Sequence, residues 1–262
     1  MSVHTYTYRA FTMLPELTQD EFSAALDAVA DDVLDALPLA GPPVDALELA
    51  RTLRLAVAWD HRQTGRGRIV RLRGFADRAA QGSILLRPDP RRDRLQWAIA
   101  HEIGETCACQ VFDRLRVDPR EAPTGAREMV ANQLAGRLLI PRAWFGQDGP
   151  GCGWDLFELK RQYATASHEL IARRMLDFGP RVIITIFDHA RRTFRRGNLS
   201  GRLPPLDGLE MAAWRGAHES AQPAVEESPL CRVQAWPVHE PDWKREIVRT
   251  EWHVDADCEA FG

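Results

Sequence analysis

The stretch Trp97–Cys109, WAIAHEIGETCAC, constrains this chain more than any other segment, because it sets ionisable side chains in an apolar helical pattern. The pattern predicts a helix from about Asp93 to Cys109. On that helix His101 and Glu105 are four residues apart, so they lie on one face, one turn from each other. Two ligands at this spacing can chelate one metal ion. The stretch therefore indicates a candidate metal site.

Glu102 directly follows His101, so on the helix it projects about 100° away from it. There it shares a stripe with Leu95, Ala98 and Ile99. A carboxylate in an apolar stripe is costly unless something compensates for its burial, and a metal ion with its water would do so. The alternative is that His101 and Glu102 are solvent-exposed residues without a functional role, which is the commoner explanation for an isolated His-Glu dipeptide on a helix.

A second carboxylate lies on the apolar side of the next long helix, AREMVANQLAGRLLIP, which Pro141 ends. Glu128 shares a helical face with Ala131, Ala135 and Leu139, and Asn132 lies beside it. Taken alone, Glu128 is equally well explained as a solvated first-turn acid that favours the helix dipole. Two inward acids on two consecutive long helices favour a shared site.

Composition narrows the class of protein. The chain has 262 residues and a net charge of −3, so no overall field favours nucleic acid or an anionic membrane. Its five cysteines include no C-x-x-C pair, which fits a reducing cytosol better than a disulfide framework. We find neither a signal peptide nor a run of the ~18 apolar residues that would span a bilayer. The sequence thus predicts a cytoplasmic protein.

Helix, strand and turn signals divide the chain into four regions. Residues 1–15 are expected to form a flexible arm. Residues 16–150 carry a helix that Thr18 caps, three strands and the two long helices. A glycine-rich break, DGPGCGW, precedes two short helices within residues 151–178, the second of which Ser167 caps. Residues 179–262 contain strand-like runs around a polar middle and form a β-rich region of unknown role.

The run RLQWAIAHEIGE, followed by a loop and then by E-x-x-A-N-x-x-A-x-x-L-L-I-P, resembles the ImmA/IrrE family of metallopeptidases. Upstream, GSILLRP stands where that family has the strand before its active-site helix. Downstream, LKRQYATASHELIARRML resembles the family's helix-turn-helix-like segment. The likeness covers roughly residues 40–178. It implies an α+β fold with a zincin-like core of helices around a small three-stranded sheet.

The resemblance also implies roles for individual residues. The metal ligands would be His101, Glu105 in place of the family's second histidine, and Glu128. Glu102 falls on the general base, and Asn132 is a candidate for orienting a ligand. The extra carboxylate lowers the charge of a Zn²⁺ site from about +1 to about zero, which favours harder ions such as Mn²⁺ more than two histidines would.

Further expectations concern the substrate. An extended protein substrate would add alongside the strand formed by Ser83, Ile84, Leu85 and Leu86. Tyr163, His168 and His61 are the candidates for stabilising the oxyanion. Relatives in this family cleave or act on helix-turn-helix repressors that control mobile-element or stress genes, so the resemblance implies such a repressor as the protein partner.

Two other functions stay open. Because Glu105 replaces the second histidine, the chain is alternatively a catalytically weak or inactive pseudopeptidase that acts as a regulatory binding protein. Alternatively, residues 156–177 could bind DNA as a helix-turn-helix segment. In that segment Glu169 would face the phosphates, and Arg173 and Arg174 come late in the second helix, which argues against DNA contact.

Overall fold

The computed structural model describes residues 17–62, 67–70, 82–123, 125–199 and 201–253. The arm predicted for residues 1–15 lies outside this range. The chain divides into two compact units. The first unit comprises Met1–Asp148 with Arg161–Ser167, and the second unit comprises Gly149–Lys160 with His168–Gly262. The sequence-based division at residues 150 and 178 differs from this one, because the short-helix segment contributes residues to both units.

The first unit combines helices with a small sheet. Its elements up to residue 139 are α1 (Gln19–Leu34), α2 (Ala46–Thr52), β1 (Leu55–Trp59), β2 (Gly67–Val70), β3 (Gly82–Leu86), α3 (Arg92–Leu115) and α4 (Ala126–Leu139). The strand order is β1-β3-β2, with β1 parallel and β2 antiparallel to the central β3. Helix α3 packs on β2 and β3, and α1 packs on α3 and α4.

Local sequence explains where α1 begins. Thr18 and Glu21 form a capping box, in which the Thr18 hydroxyl accepts from the Glu21 amide and the Glu21 carboxylate accepts from the Thr18 amide. The predicted N-cap is therefore confirmed. Asp27 of this apolar helix is buried, and its carboxylate lies 3.0 Å from Nε of Arg137, itself a buried residue of α4. This ion pair joins α1 to α4.

The long helices α3 and α4 approach each other closely at Gly104. A Cβ atom built at this glycine would lie 2.6 Å from the backbone oxygen of Ala131. No other residue type could take this position without moving one helix. Gly104 is flanked along α3 by His101 and Glu105, so the same contact holds the candidate ligands of α3 beside α4.

The second unit is built on an antiparallel sheet. The remaining elements are α5 (Arg142–Gly151) and α6 (Leu156–Gln162), which include residues of both units, then α7 (His168–Arg174), β4 (Val182–Asp188), β5 (Arg191–Gly197), α8 (Gly208–Ser220), β6 (Ala224–Glu227), β7 (Cys231–Glu240) and β8 (Trp243–Trp252). The strand order is β5-β4-β8-β7-β6. Helix α8 covers one face of this sheet, over a core that includes Ala213, Ala217, Val233 and Val248.

The structure corrects several predicted elements. Helix α3 continues six residues beyond Cys109, to Leu115. The predicted break at residues 148–154 is helical as far as Gly151, and Gly149 faces the Trp154 ring so closely that a Cβ atom there would lie 2.3 Å from it. Helix α8 and strands β5 and β6 were not predicted. The capping box of α8, formed by Asp207 and Glu210, was a usable signal in the sequence.

Both units mix helices with a sheet, which confirms the α+β class. Within the described residues, no helix is both long enough and apolar enough to cross a membrane.

We expect Gly104→Ala to destabilise the protein by about 1 kcal/mol or more. Overpacking of a tight contact costs about 1–3 kcal/mol, and the higher helix propensity of alanine offsets at most about 1 kcal/mol of this. Urea unfolding followed by circular dichroism measures the change. Gly208→Ala is the matched control, because a Cβ atom there meets nothing within 4 Å. Equal stability of the two variants would contradict the tight-contact interpretation.

Candidate metal centre

Three side chains from α3 and α4 converge in the first unit. His101 and Glu105 project from the middle of α3, and Glu128 projects from the first turn of α4. Their ligand atoms all lie within 4.8 Å of one another. The closest measured approach joins Nε2 of His101 to Oε2 of Glu128, at 3.6 Å. The structure thus brings together the three residues that the sequence analysis singled out as ligands.

The donor set of this cluster fits a bound cation. The His101 side chain is 17% exposed, and the ring nitrogen that faces Glu128 is Nε2, so Nε2 would be the ligand atom. One imidazole nitrogen and two carboxylates form a donor set that Zn²⁺ or Mn²⁺ accepts. The residues present therefore fit a divalent ion.

Asn132 lies one helical turn after Glu128 and forms a hydrogen bond with its carboxylate. Its amide nitrogen donates to Oε1 of Glu128 at 3.1 Å, while the other carboxylate oxygen faces His101. The Glu128 side chain is 48% exposed, so this side of the site is open to solvent. A hydrogen bond to one oxygen restricts the rotation of the carboxylate and presents the second oxygen to the site.

Sequence analysis missed Arg127, which binds Glu105 from α4. Its Nε donates to Oε2 of Glu105 at 2.7 Å, and its Nη2 donates to the Glu105 backbone oxygen at 2.8 Å. The guanidinium offsets one of the two carboxylate charges. With a divalent ion, the three ligands and Arg127 together would carry a net charge of about +1, which is also the charge of a site with two histidines and one carboxylate. No spacing rule predicts this pair, since 22 residues separate its members.

Glu102 is 5% exposed and faces the sheet. A Cβ atom at Gly67 of β2 would lie 3.0 Å from its Oε1 atom, so the glycine makes room for the carboxylate. The prediction that this acid lies among apolar residues agrees with the burial of Ala98 and Ile99.

Cys107 continues α3 next to the site but does not join it. Burial raises the pKa of its thiol to about 11, so the thiol stays protonated at neutral pH. Cys107 is not one of the side chains whose ligand atoms converge.

The expectation about the substrate strand is wrong. Residues Ser83, Ile84, Leu85 and Leu86 belong to β3, where each of them is paired with both β1 and β2. An added strand needs an unpaired edge. The run GSILL alternates between buried and half-buried residues, a pattern that does not distinguish a central strand from an outer one.

The three oxyanion candidates have different surroundings. Tyr163 is fully buried, its hydroxyl donates to Asp148 at 2.7 Å and its ring packs edge-on against Phe145, so it has a structural role. His61 is exposed, two residues past the end of β1. His168 belongs to the second unit, where its ring contacts Phe157.

Comparisons with known proteins give a fold but no family. No family model matches the chain, and no curated protein matches it. A solved structure described as a Mycobacterium tuberculosis transcriptional regulator is similar, with a TM-score of 0.63 over 93% of this chain and 92% of that chain. The two sequences are 15% identical. At that identity the likeness shows a shared fold alone.

We expect Arg127→Gln to bind Zn²⁺ about two- to fivefold more tightly than the unmodified chain, because an exposed ion pair that competes for Glu105 is removed. Isothermal titration of the full-length protein with Zn²⁺ measures the affinity. Arg120→Gln removes the same charge from an exposed loop and is the control. Weaker binding by Arg127→Gln alone would mean that Arg127 positions Glu105 and does not compete with the ion.

Proposed function

We propose that this chain is a regulator of transcription that works as a metal-dependent endopeptidase of ImmA/IrrE type on a helix-turn-helix repressor. The observation that carries the proposal is the convergence of His101, Glu105 and Glu128 from two consecutive helices. The order of the sheet and helices in the first unit supports a zincin-like core. The similar solved structure is described as a transcriptional regulator, which supports the regulatory role.

The ligands would be His101, Glu105 and Glu128, and the ion would be Zn²⁺, with Mn²⁺ as the harder alternative. A bound divalent ion supplies Lewis acidity towards a peptide carbonyl and towards water. Asn132 keeps one Glu128 oxygen in place, and Arg127 balances the charge of Glu105. These two residues set the geometry and the charge of the site.

Glu102 would be the general base. Its carboxylate takes the proton of the attacking water and passes it to the nitrogen of the leaving amine. Burial keeps bulk water away from this carboxylate, so the proton that it holds is available to the amine. Gly67 leaves the carboxylate room to reach the sheet edge.

An extended substrate would add to the outer edge of β2. Within the described residues, β3 is paired on both sides, whereas β2 is paired only with β3, and its Gly67 lies against Glu102. Strand addition would carry a peptide backbone past the general base, and backbone hydrogen bonds would supply affinity with little dependence on sequence.

We expect Glu102→Gln to keep its metal content and to lose cleavage by a factor of about 10² or more, because glutamine matches the shape of glutamate but does not accept the proton. The assay combines elemental analysis with cleavage of a fluorescence-quenched library of extended peptides and of purified helix-turn-helix repressors. Glu121→Gln, at an exposed loop position, is the control.

The outcomes of this assay separate the alternatives. Metal in the unmodified chain without cleavage of any probe supports the regulatory pseudopeptidase. Loss of one equivalent of metal per chain in His101→Ala and in Glu128→Ala supports the ligand assignment. A metal-free unmodified chain, prepared without chelators and supplied with Zn²⁺, overturns the proposal.

DNA binding is the second candidate, favoured because the similar solved structure is described as a transcriptional regulator. The helix-turn-helix-like residues provide a poor DNA surface. Every residue of α7 is buried or half-buried, Arg173 pairs with Glu169 at 2.6 Å and Arg174 pairs with Asp177. To bind DNA, these two arginines would have to break their ion pairs with carboxylates and form new ones with phosphates.

We expect the full-length protein to show no salt-dependent binding to a random-sequence duplex by fluorescence anisotropy between 50 and 200 mM salt. Binding that weakens steeply with salt, and further in Arg173→Gln, would favour the DNA-binding candidate over the peptidase. Arg215→Gln, on the partly exposed surface of α8, controls for the loss of charge.

A further inference from the structure

The second unit contains another cluster of ligand-type side chains, formed by His218, His239 and Glu246. His218 lies in the last turn of α8, His239 near the end of β7 and Glu246 near the start of β8. Glu246 pairs with Pro237 across the hairpin, so His239, two residues further along β7, points to the same face of the sheet. That face is the one that α8 covers.

The distances within this cluster are short. Nδ1 of His218 lies 2.9 Å and Nε2 of His239 lies 2.6 Å from the same oxygen, Oε1 of Glu246. The other oxygen, Oε2, accepts from the indole nitrogen of Trp214 at 3.2 Å. Two imidazoles thus converge on one carboxylate oxygen, and a third donor fixes the other.

Glu246 has no arginine or lysine beside it. The carboxylate is fully buried, and within the described residues no arginine or lysine lies within ion-pair distance of it. A buried carboxylate needs a positive partner or several hydrogen bonds. Its close partners are the imidazoles of His218 and His239 and the indole of Trp214.

We propose that His218, His239 and Glu246 form a second binding site, for a divalent transition-metal ion such as Zn²⁺. Two imidazole nitrogens and one carboxylate oxygen are the protein ligands of many three-ligand zinc sites, which leave a fourth position for water. The His218 and His239 side chains are 27% and 19% exposed, so solvent reaches this side of the cluster.

The cluster needs little rearrangement to hold an ion. Ligand atoms around a tetrahedral Zn²⁺ ion are about 3.3 Å apart, from metal–ligand bonds of about 2.0–2.1 Å. The two imidazoles would therefore withdraw from Glu246 by roughly half an ångström, which small side-chain rotations provide.

Residues behind the ligands are already arranged to orient them. Trp214 donates to the Glu246 oxygen that the histidines do not contact, which leaves Oε1 for the ion. The same indole stacks on the His218 ring, with centroids 5.4 Å apart and planes 23° apart. Such contacts behind the ligands fix ring orientation and strengthen metal binding. A bound ion would tie the end of α8 to the β7–β8 hairpin.

The test is a Zn²⁺ titration of the full-length His101→Ala variant, which disables the site of the first unit, by calorimetry and thermal unfolding. We expect one Zn²⁺ per chain and a rise in Tm, because an ion that binds only the folded state stabilises it. Adding His239→Gln or His218→Gln should weaken this binding by about 100-fold or more, beyond the effect of losing a residue behind the ligands. His189→Asn, on an exposed histidine of the same unit, should leave it unchanged.

Glutamine can still donate a hydrogen bond to Glu246 but is a poor metal ligand. These variants therefore distinguish a metal site from a cluster of three residues that only form hydrogen bonds with one another. Unchanged Zn²⁺ affinity in both glutamine variants overturns the proposal, as does the absence of Zn²⁺ binding in a folded His101→Ala chain. If the unmodified chain and His101→Ala bind Zn²⁺ but His239→Gln does not, the result supports this site even if the first unit binds none. The two proposals can therefore fail separately.

Discussion

The close approach of α3 and α4 at Gly104 is the constraint on which the candidate metal centre depends. A side chain at this position would push against the backbone of Ala131 and separate the helices. The ligands flank this contact: His101 and Glu105 lie on either side of Gly104 in α3, and Glu128 lies three residues before Ala131 in α4. A close packing contact between the backbones of Gly104 and Ala131 therefore sets the distance between the helices that carry the ligands.

The charge of that centre is balanced by the protein itself. A carboxylate at position 105 makes the ligand set more anionic than one with two histidines, and Arg127 of the facing helix offsets the difference. The second unit shows the opposite arrangement. There Glu246 is buried without an arginine or lysine within ion-pair distance in the described part of the chain, and its close partners are His218 and His239. The two clusters thus differ in the partner of the carboxylate, which is an arginine at Glu105 and two histidines at Glu246.

Strand pairing limits where a peptide could bind in the first unit. The run Ser83–Leu86 looks suitable for strand addition when it is considered as a sequence, because it is short, apolar and next to the motif helix. In the structure it is the central strand, and both of its edges are paired. Edge position depends on which segments return to the sheet, and β1 parallel to β3 cannot be inferred from either strand alone.

The sequence by itself determined the helices that carry His101, Glu102, Glu105 and Glu128, since helical periodicity and capping are local properties of the chain. It also indicated that the two helices belong to one site, because both place acids on apolar faces. Only the tertiary structure decided the partners: Arg127 on Glu105, Gly67 against Glu102, and Glu246 between His218 and His239. These contacts join residues from different elements, and their distances follow from how the helices and strands pack, which no local pattern specifies.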